Sequence, residues 1–168
     1  MCQLFQETLS VLDDAFDRLE GQVPKPQPIY MENGFVFRYK EETIHQAIIL
    51  KLARLVSGLR ACFVLLENGY TQEQAALQRI QDELDDDIIF LALALTNDKV
   101  TELHKRYLRA FFEEEFDVPG NPVASTQKRE MIPRKKIRAY LNRTLYPNDP
   151  STSTELFRTI SKVYSGFV

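Results

Sequence analysis

Two long apolar stripes joined through an Asn-Gly turn constrain this chain more than any other feature of it. Over residues 41–68, Ile44, Ile48, Leu52, Leu55, Leu59, Cys62 and Leu66 recur at three- and four-residue spacings, the signature of one face of an α-helix. Ile49, Ala53, Val56 and Val64 widen that face and predict neighbours on more than one side. Asn68-Gly69 stops the helix, and Thr71 with Gln74 three residues later reads as a capping box that opens the next. The second stripe runs through Leu77, Ile80, Leu84, Ile88, Leu91 and Leu95. Its last eight residues, IIFLALAL, would suit a buried strand if taken alone, but the unbroken stripe and the Leu/Ala content favour helix. A helical hairpin is the predicted centre of the fold.

The rest of the chain reads around that hairpin. Leu4, Leu9, Leu12, Phe16 and Leu19 make residues 3–19 an amphipathic first helix, ended by Gly21. Residues 20–40 then carry Pro24, Pro26 and Pro28 and an Asn33-Gly34 turn signal, which predicts an extended tether with a short strand at FVFRY, laid across the hairpin. After Asn97, the spacing of Val100, Leu103, Tyr107, Leu108, Phe111 and Phe112 predicts a fourth helix closing on the acids at 113–115. A loop follows. Pro133 suits a helix start, so residues 134–145 are expected to form a fifth helix with Ile137, Tyr140, Leu141 and Leu145 inward. Thr152 with Glu155 opens a last amphipathic helix that stops at Gly166, Phe167 and Val168 without polar closure, so the natural chain is expected to continue. The fold class is therefore all-α: a single domain over 1–168, a bundle of five to six helices with a Pro-rich tether after the first.

A chain of 168 residues buries enough surface to fold without a disulfide or metal staple. Its two cysteines sit at a terminus and inside an apolar stripe, which implies a reduced, cytoplasmic setting. The N-terminus has acids where a signal peptide needs basic and apolar regions, and no apolar run approaches the roughly 18 residues that span a bilayer. No membrane association is expected. The net charge of −3 selects no partner, because 21 basic and 24 acidic residues nearly cancel.

Four groups of residues invite a chemical reading. Arg38 and His45 are separated by six intervening residues, and such a pair can hold a scissile phosphate and move a proton in attack by a 2'-hydroxyl. Glu42 and His45 make one Glu-x-x-His step of a di-iron bundle, but a second is missing, since His104 has Glu102 two residues before it. Lys135, Lys136, Arg138 and Arg143 share the side of the fifth helix opposite Ile137, Tyr140 and Leu141, a basic face suited to a phosphate backbone or to the acids at 113–115. Arg79 and Glu83, one turn apart, are expected to form a structural ion network, whereas the run DELDDD reads as a solvated face whose three aspartates diverge too far to share a metal. No metal site and no cofactor are expected. Gly-rich phosphate loops, a Gly-x-Ser-x-Gly elbow and Cys-x-x-Cys are absent.

The stretch LLENGYTQEQAALQRIQDELDDDIIFLALAL, with Gly69 in the turn and Arg79 and Glu83 four residues apart before an apolar run, resembles the central hairpin of bacterial proteins with HEPN-like helical domains. The closing ELFRTISKVYSGFV is similar to that group's last segment, in which a histidine commonly follows; this chain has none. The resemblance spans residues 65–95 and 155–168. It implies a helical bundle, self-association and a toxin or phage-defence context, in some members with metal-independent ribonuclease activity. The Arg-to-His spacing of that superfamily falls here across Arg38, ahead of the helix, and His45. The expectation drawn from all this is a non-catalytic binding or assembly module that forms a homo-oligomer or meets a protein partner. The rival is a HEPN-like ribonuclease acting through Arg38 and His45, with RNA on the basic face.

Overall fold

The computed structural model describes residues 2–31, 34–113, 122–126, 129–149 and most of 151–159. Among them are five α-helices: α1 (Cys2–Glu20), α2 (Ile44–Glu67), α3 (Thr71–Thr96), α4 (Glu102–Phe112) and α5 (Arg134–Leu145). A 3-10 turn, Pro122–Ala124, lies between α4 and α5. The mostly helical bundle expected from the apolar spacing is what the chain forms. The closing helix expected from residue 152 onward lies largely outside the described residues.

The α2–α3 hairpin is centred as the stripes dictate, and each of its helices ends in the same way. At the end of α2, Tyr70 N donates to Leu65 O at 2.9 Å and Gly69 N to Leu66 O at 3.1 Å, with Gly69 at φ +79°. This is a Schellman closure, with glycine in the left-handed conformation it adopts without penalty. At the end of α3 the same two bonds run from Lys99 N to Ala94 O and from Asp98 N to Leu95 O, but here Asp98 takes the left-handed position at φ +47°. The helix starts differ from expectation. Thr71 is the first residue of α3 instead of its cap, and Tyr70 caps it without a side-chain bond. The capping box belongs to α2: Thr43 Oγ1 accepts from Gln46 N at 3.3 Å while Gln46 Oε1 accepts from Thr43 N at 3.0 Å. Glu41 and Glu42 therefore precede the helix, Glu42 at φ +52°.

The Pro-rich segment is more ordered than a tether. Gln27–Met31 (β1) and Gly34–Arg38 (β2) pair antiparallel with Tyr30 opposite Phe35 and Pro28 opposite Phe37. The period-two placement of Phe35 and Phe37 puts both rings on one face, where Phe35 meets Phe37 edge-on at 5.3 Å and Tyr30 at 6.0 Å. None of the hairpin's described side chains enters the core; Tyr30, Phe35 and Phe37 are exposed.

Among the described residues the core has two parts. The larger gathers Ile44, Ala47 and Ile48 of α2, Phe90, Leu91 and Ala94 of α3, Tyr107 of α4, and Ile137 and Leu141 of α5. The smaller holds Leu52, Leu55 and Val56 of α2 with Leu84 of α3, and Leu9, Leu12 and Phe16 of α1 lie over it. α1 adds a stack of Phe5 on Phe63 at 4.7 Å and an ion pair of Arg60 with Asp13 at 2.6 Å.

Candidate functional site

α3 carries its acidic run through the middle of this packing. Successive helical residues diverge by about 100°, so Asp85 turns outward while Asp86 and Asp87 turn in, and both of the latter are buried. α5 meets them with arginines one turn apart. Arg138 Nε donates to Asp86 Oδ2 at 2.8 Å. Arg134 holds both oxygens of Asp87, with Nη2 at 2.9 Å from Oδ2. Lys51 of α2 completes the site at 2.7 Å from Asp87 Oδ2, and the Tyr107 hydroxyl of α4 lies within reach of the same carboxylate's charge. Four helices thus converge on Asp87.

The two neighbouring carboxylates respond oppositely to burial. Desolvation raises the Asp87 pKa, but the Arg134 hydrogen bonds and the Lys51 charge outweigh it and hold the carboxyl below its ordinary value. For Asp86, desolvation exceeds the opposing Arg138 bond, and its pKa stays raised. Burial and then the Asp87 charge push the Tyr107 hydroxyl upward. Arg134 gains more from Asp87 than it loses by burial, so its pKa rises.

This network floors a cleft of about 510 Å³, within the range of small-ligand sites. Tyr107, Ala110 and Phe111 of α4 form one wall, and the segment 129–133 leading into α5 forms the other. Lys51 Nζ lies 5.0 Å from the centre of the Phe111 ring and 5.6 Å from that of Tyr107, close enough for cation–π attraction. Glu83, at 3.7 Å from Arg134, and Glu130, paired with Arg106, stand at the rim.

The expected sites fare differently. Arg38 ends β2, exposed, with Nη1 donating to Phe37 O at 3.3 Å, and His45 is exposed in the first turn of α2. They occupy different elements. Lys135, Lys136 and Arg143 are exposed on α5, but Arg138 is half-buried on Asp86, so the basic face has three open members instead of four. Residues 114 and 115 of its anticipated acidic counterpart lie outside the described set. Glu83 reaches Arg134, while Arg79 stands exposed one turn away; the ion network forms between α3 and α5 and not along α3. DELDDD is not a solvated face. No group of three or more His, Cys, Asp or Glu able to hold a metal occurs among the described residues.

His104 is a core residue. Its Nδ1 accepts from Thr101 N at 3.1 Å, which leaves the proton on Nε2, 3.1 Å from Phe90 O. The ring stacks on Phe90 at 4.0 Å and meets Tyr140 edge-on at 4.9 Å. Burial lowers its pKa against the opposing Phe90 carbonyl.

Comparison with protein-family models, with curated proteins and with solved structures finds no match to this chain. Among the described residues, no helix is long and apolar enough to cross a membrane.

Proposed function

We propose that this chain is a non-catalytic binding module whose ligand enters the cleft above Asp87. The observation that carries this reading is the way the cleft is built. Its floor is a fixed set of charges contributed by α2, α3 and α5, with Tyr107 of α4 beside Asp87. A site held this rigidly selects by fit and charge. Its titratable groups are bound to one another, with Asp87 held ionised and Tyr107 held protonated, the reverse of the poise a general base or acid needs near neutral pH.

A screen of neutral, small aromatic fragments followed by ¹H–¹⁵N correlation spectra tests the reading. Shifts gathered on Ala110, Phe111 and Ile132 are expected, and shifts scattered over the surface would overturn it. A parallel incubation with labelled single-stranded RNA at low and moderate salt addresses the ribonuclease alternative. The RNA is expected to stay intact; cleavage by the wild type that His45→Ala abolishes would replace the binding reading with the catalytic one.

A further inference from the structure

The charges at the bottom of the cleft do not balance. Asp87, whose side chain is 2 % exposed, faces two cations, Lys51 at 13 % and Arg134 at 33 %. Glu83 does not close the gap, because it is 41 % exposed and stands 3.7 Å from Arg134, where water screens it. Glu130 is bound to Arg106. Asp87 thus meets two cations, and the charge that Glu83 opposes only across water is that of the half-exposed Arg134. Lys51 has donors to spare, since an ammonium carries three N–H groups and one goes to Asp87.

A second feature points the same way. α5 begins at Arg134, and Pro133 before it supplies no side-chain cap. The first-turn amides of a helix carry partial positive charge and bind anions where nothing else satisfies them. Pro133 and Arg134 both line the cleft, so the start of α5 borders the same space as Lys51, although the third amide of that turn, Lys136 N, already donates to Pro133 O at 2.8 Å.

The remaining wall is apolar. An anion touching Lys51 Nζ would lie beside the Phe111 ring, 5.0 Å from that nitrogen, with Ala110 and Ile132 also on the cleft surface. We infer that the cleft takes a small organic monoanion, a carboxylate on a flat apolar body, with Lys51, Arg134 and the first turn of α5 receiving the carboxylate and Phe111 receiving the body. A single negative charge balances the floor. A dianion such as phosphate would bring a second charge against Asp87 and Glu83 and would leave the aromatic wall uncovered.

This inference rests on the binding reading above, and one titration series separates the two. Phenylacetate, benzyl alcohol, benzylamine and inorganic phosphate are added at matched ionic strength to the ¹⁵N-labelled protein. Phenylacetate is expected to shift Ala110, Phe111, Ile132 and Arg134 saturably, with affinity about ten-fold above benzyl alcohol, the usual yield of one charge-assisted hydrogen bond. Lys51→Met is expected to remove that advantage. Because Lys51 also holds Asp87, a second variant is needed that leaves the floor intact. Glu83→Gln removes an opposing charge at the rim and is expected to tighten phenylacetate several-fold.

Equal binding of benzyl alcohol or benzylamine at the cleft would overturn the anion inference and leave the binding reading standing. A phosphate response as strong as that of phenylacetate would overturn the choice of carboxylate. If no probe moves a cleft resonance, both fall.

Discussion

Asp87 shows how little a residue's type says about its place. It stands three residues after Leu84 and four before Leu91, and Lys51 stands three after Ile48 and four before Leu55. Each is a charge set into the apolar stripe of its own helix, and the hairpin turns them toward one another. That spacing is legible in the sequence, but a run of acids reads as solvated unless its register against the stripe is followed. The Arg134 and Arg138 contributions are not legible there, because they depend on how α5 docks on α3. Removing one partner of a buried, hydrogen-bonded ion pair leaves the others uncompensated, so Asp87→Asn is expected to lower unfolding free energy by about 3–5 kcal/mol, read from urea midpoints. Asp86→Asn should cost clearly less, since the fold already disfavours its ionised form. The acid limb follows the same logic. A carboxyl whose folded pKa is depressed contributes stability above its unfolded pKa of about 3.9 and loses it as pH falls through the folded value; the Asp87→Asn variant should lack that loss. For His104 the folded pKa is also lowered. The unfolded state then binds more protons below pH about 6.5, and stability declines as the pH drops from about 7 toward 5. His104→Gln is expected to be less stable at neutral pH and to show no such decline.

At the scale of elements, the sequence predicts helices well where a stripe defines them and less well where local chemistry does. The bounds predicted for α5 coincide with those observed, because Pro133 marks a start that no tertiary contact can shift. Thr71 resembles a cap in the sequence, but Gly69 and Tyr70 complete the Schellman closure of α2, and α3 starts immediately after it. The alternation of Phe35 and Phe37 yields the short strand expected there, whereas the prolines of residues 24–28 mask its antiparallel partner β1. The contact between α2 and α3 rests on a glycine that no apolar pattern singles out. A Cβ on Gly58 would lie 2.1 Å from Gln81 Nε2, and Gln81 is buried with its Oε1 unpaired, so it has little room to retreat. Gly58→Ala is therefore expected to destabilise the wild type. In a Gln81→Ala background the same change should stabilise by about 0.5–1 kcal/mol, the ordinary helical advantage of alanine over glycine. A double-mutant cycle in urea measures this reversal of sign, and two changes that merely add would refute the close approach.

For the whole molecule, the division of the core sets what can come apart separately. The larger cluster is closed by α4 and α5 and tied through Asp87, so its helices release together. The smaller one is roofed by α1, which has no fully buried side chain among its described positions and holds on through half-buried Phe5, Leu9, Leu12 and Phe16. Segments with few buried contacts open at a fraction of the global cost. Amide hydrogen exchange should accordingly find α1 protected far less than the middle of α3, under conditions where global unfolding is negligible; equal protection in both would show a single cooperative unit. Each such opening bares Leu52, Leu55, Val56 and Leu84 while the Asp87 cleft stays assembled. The protein thus carries a second apolar surface that is present only for as long as its first helix is away.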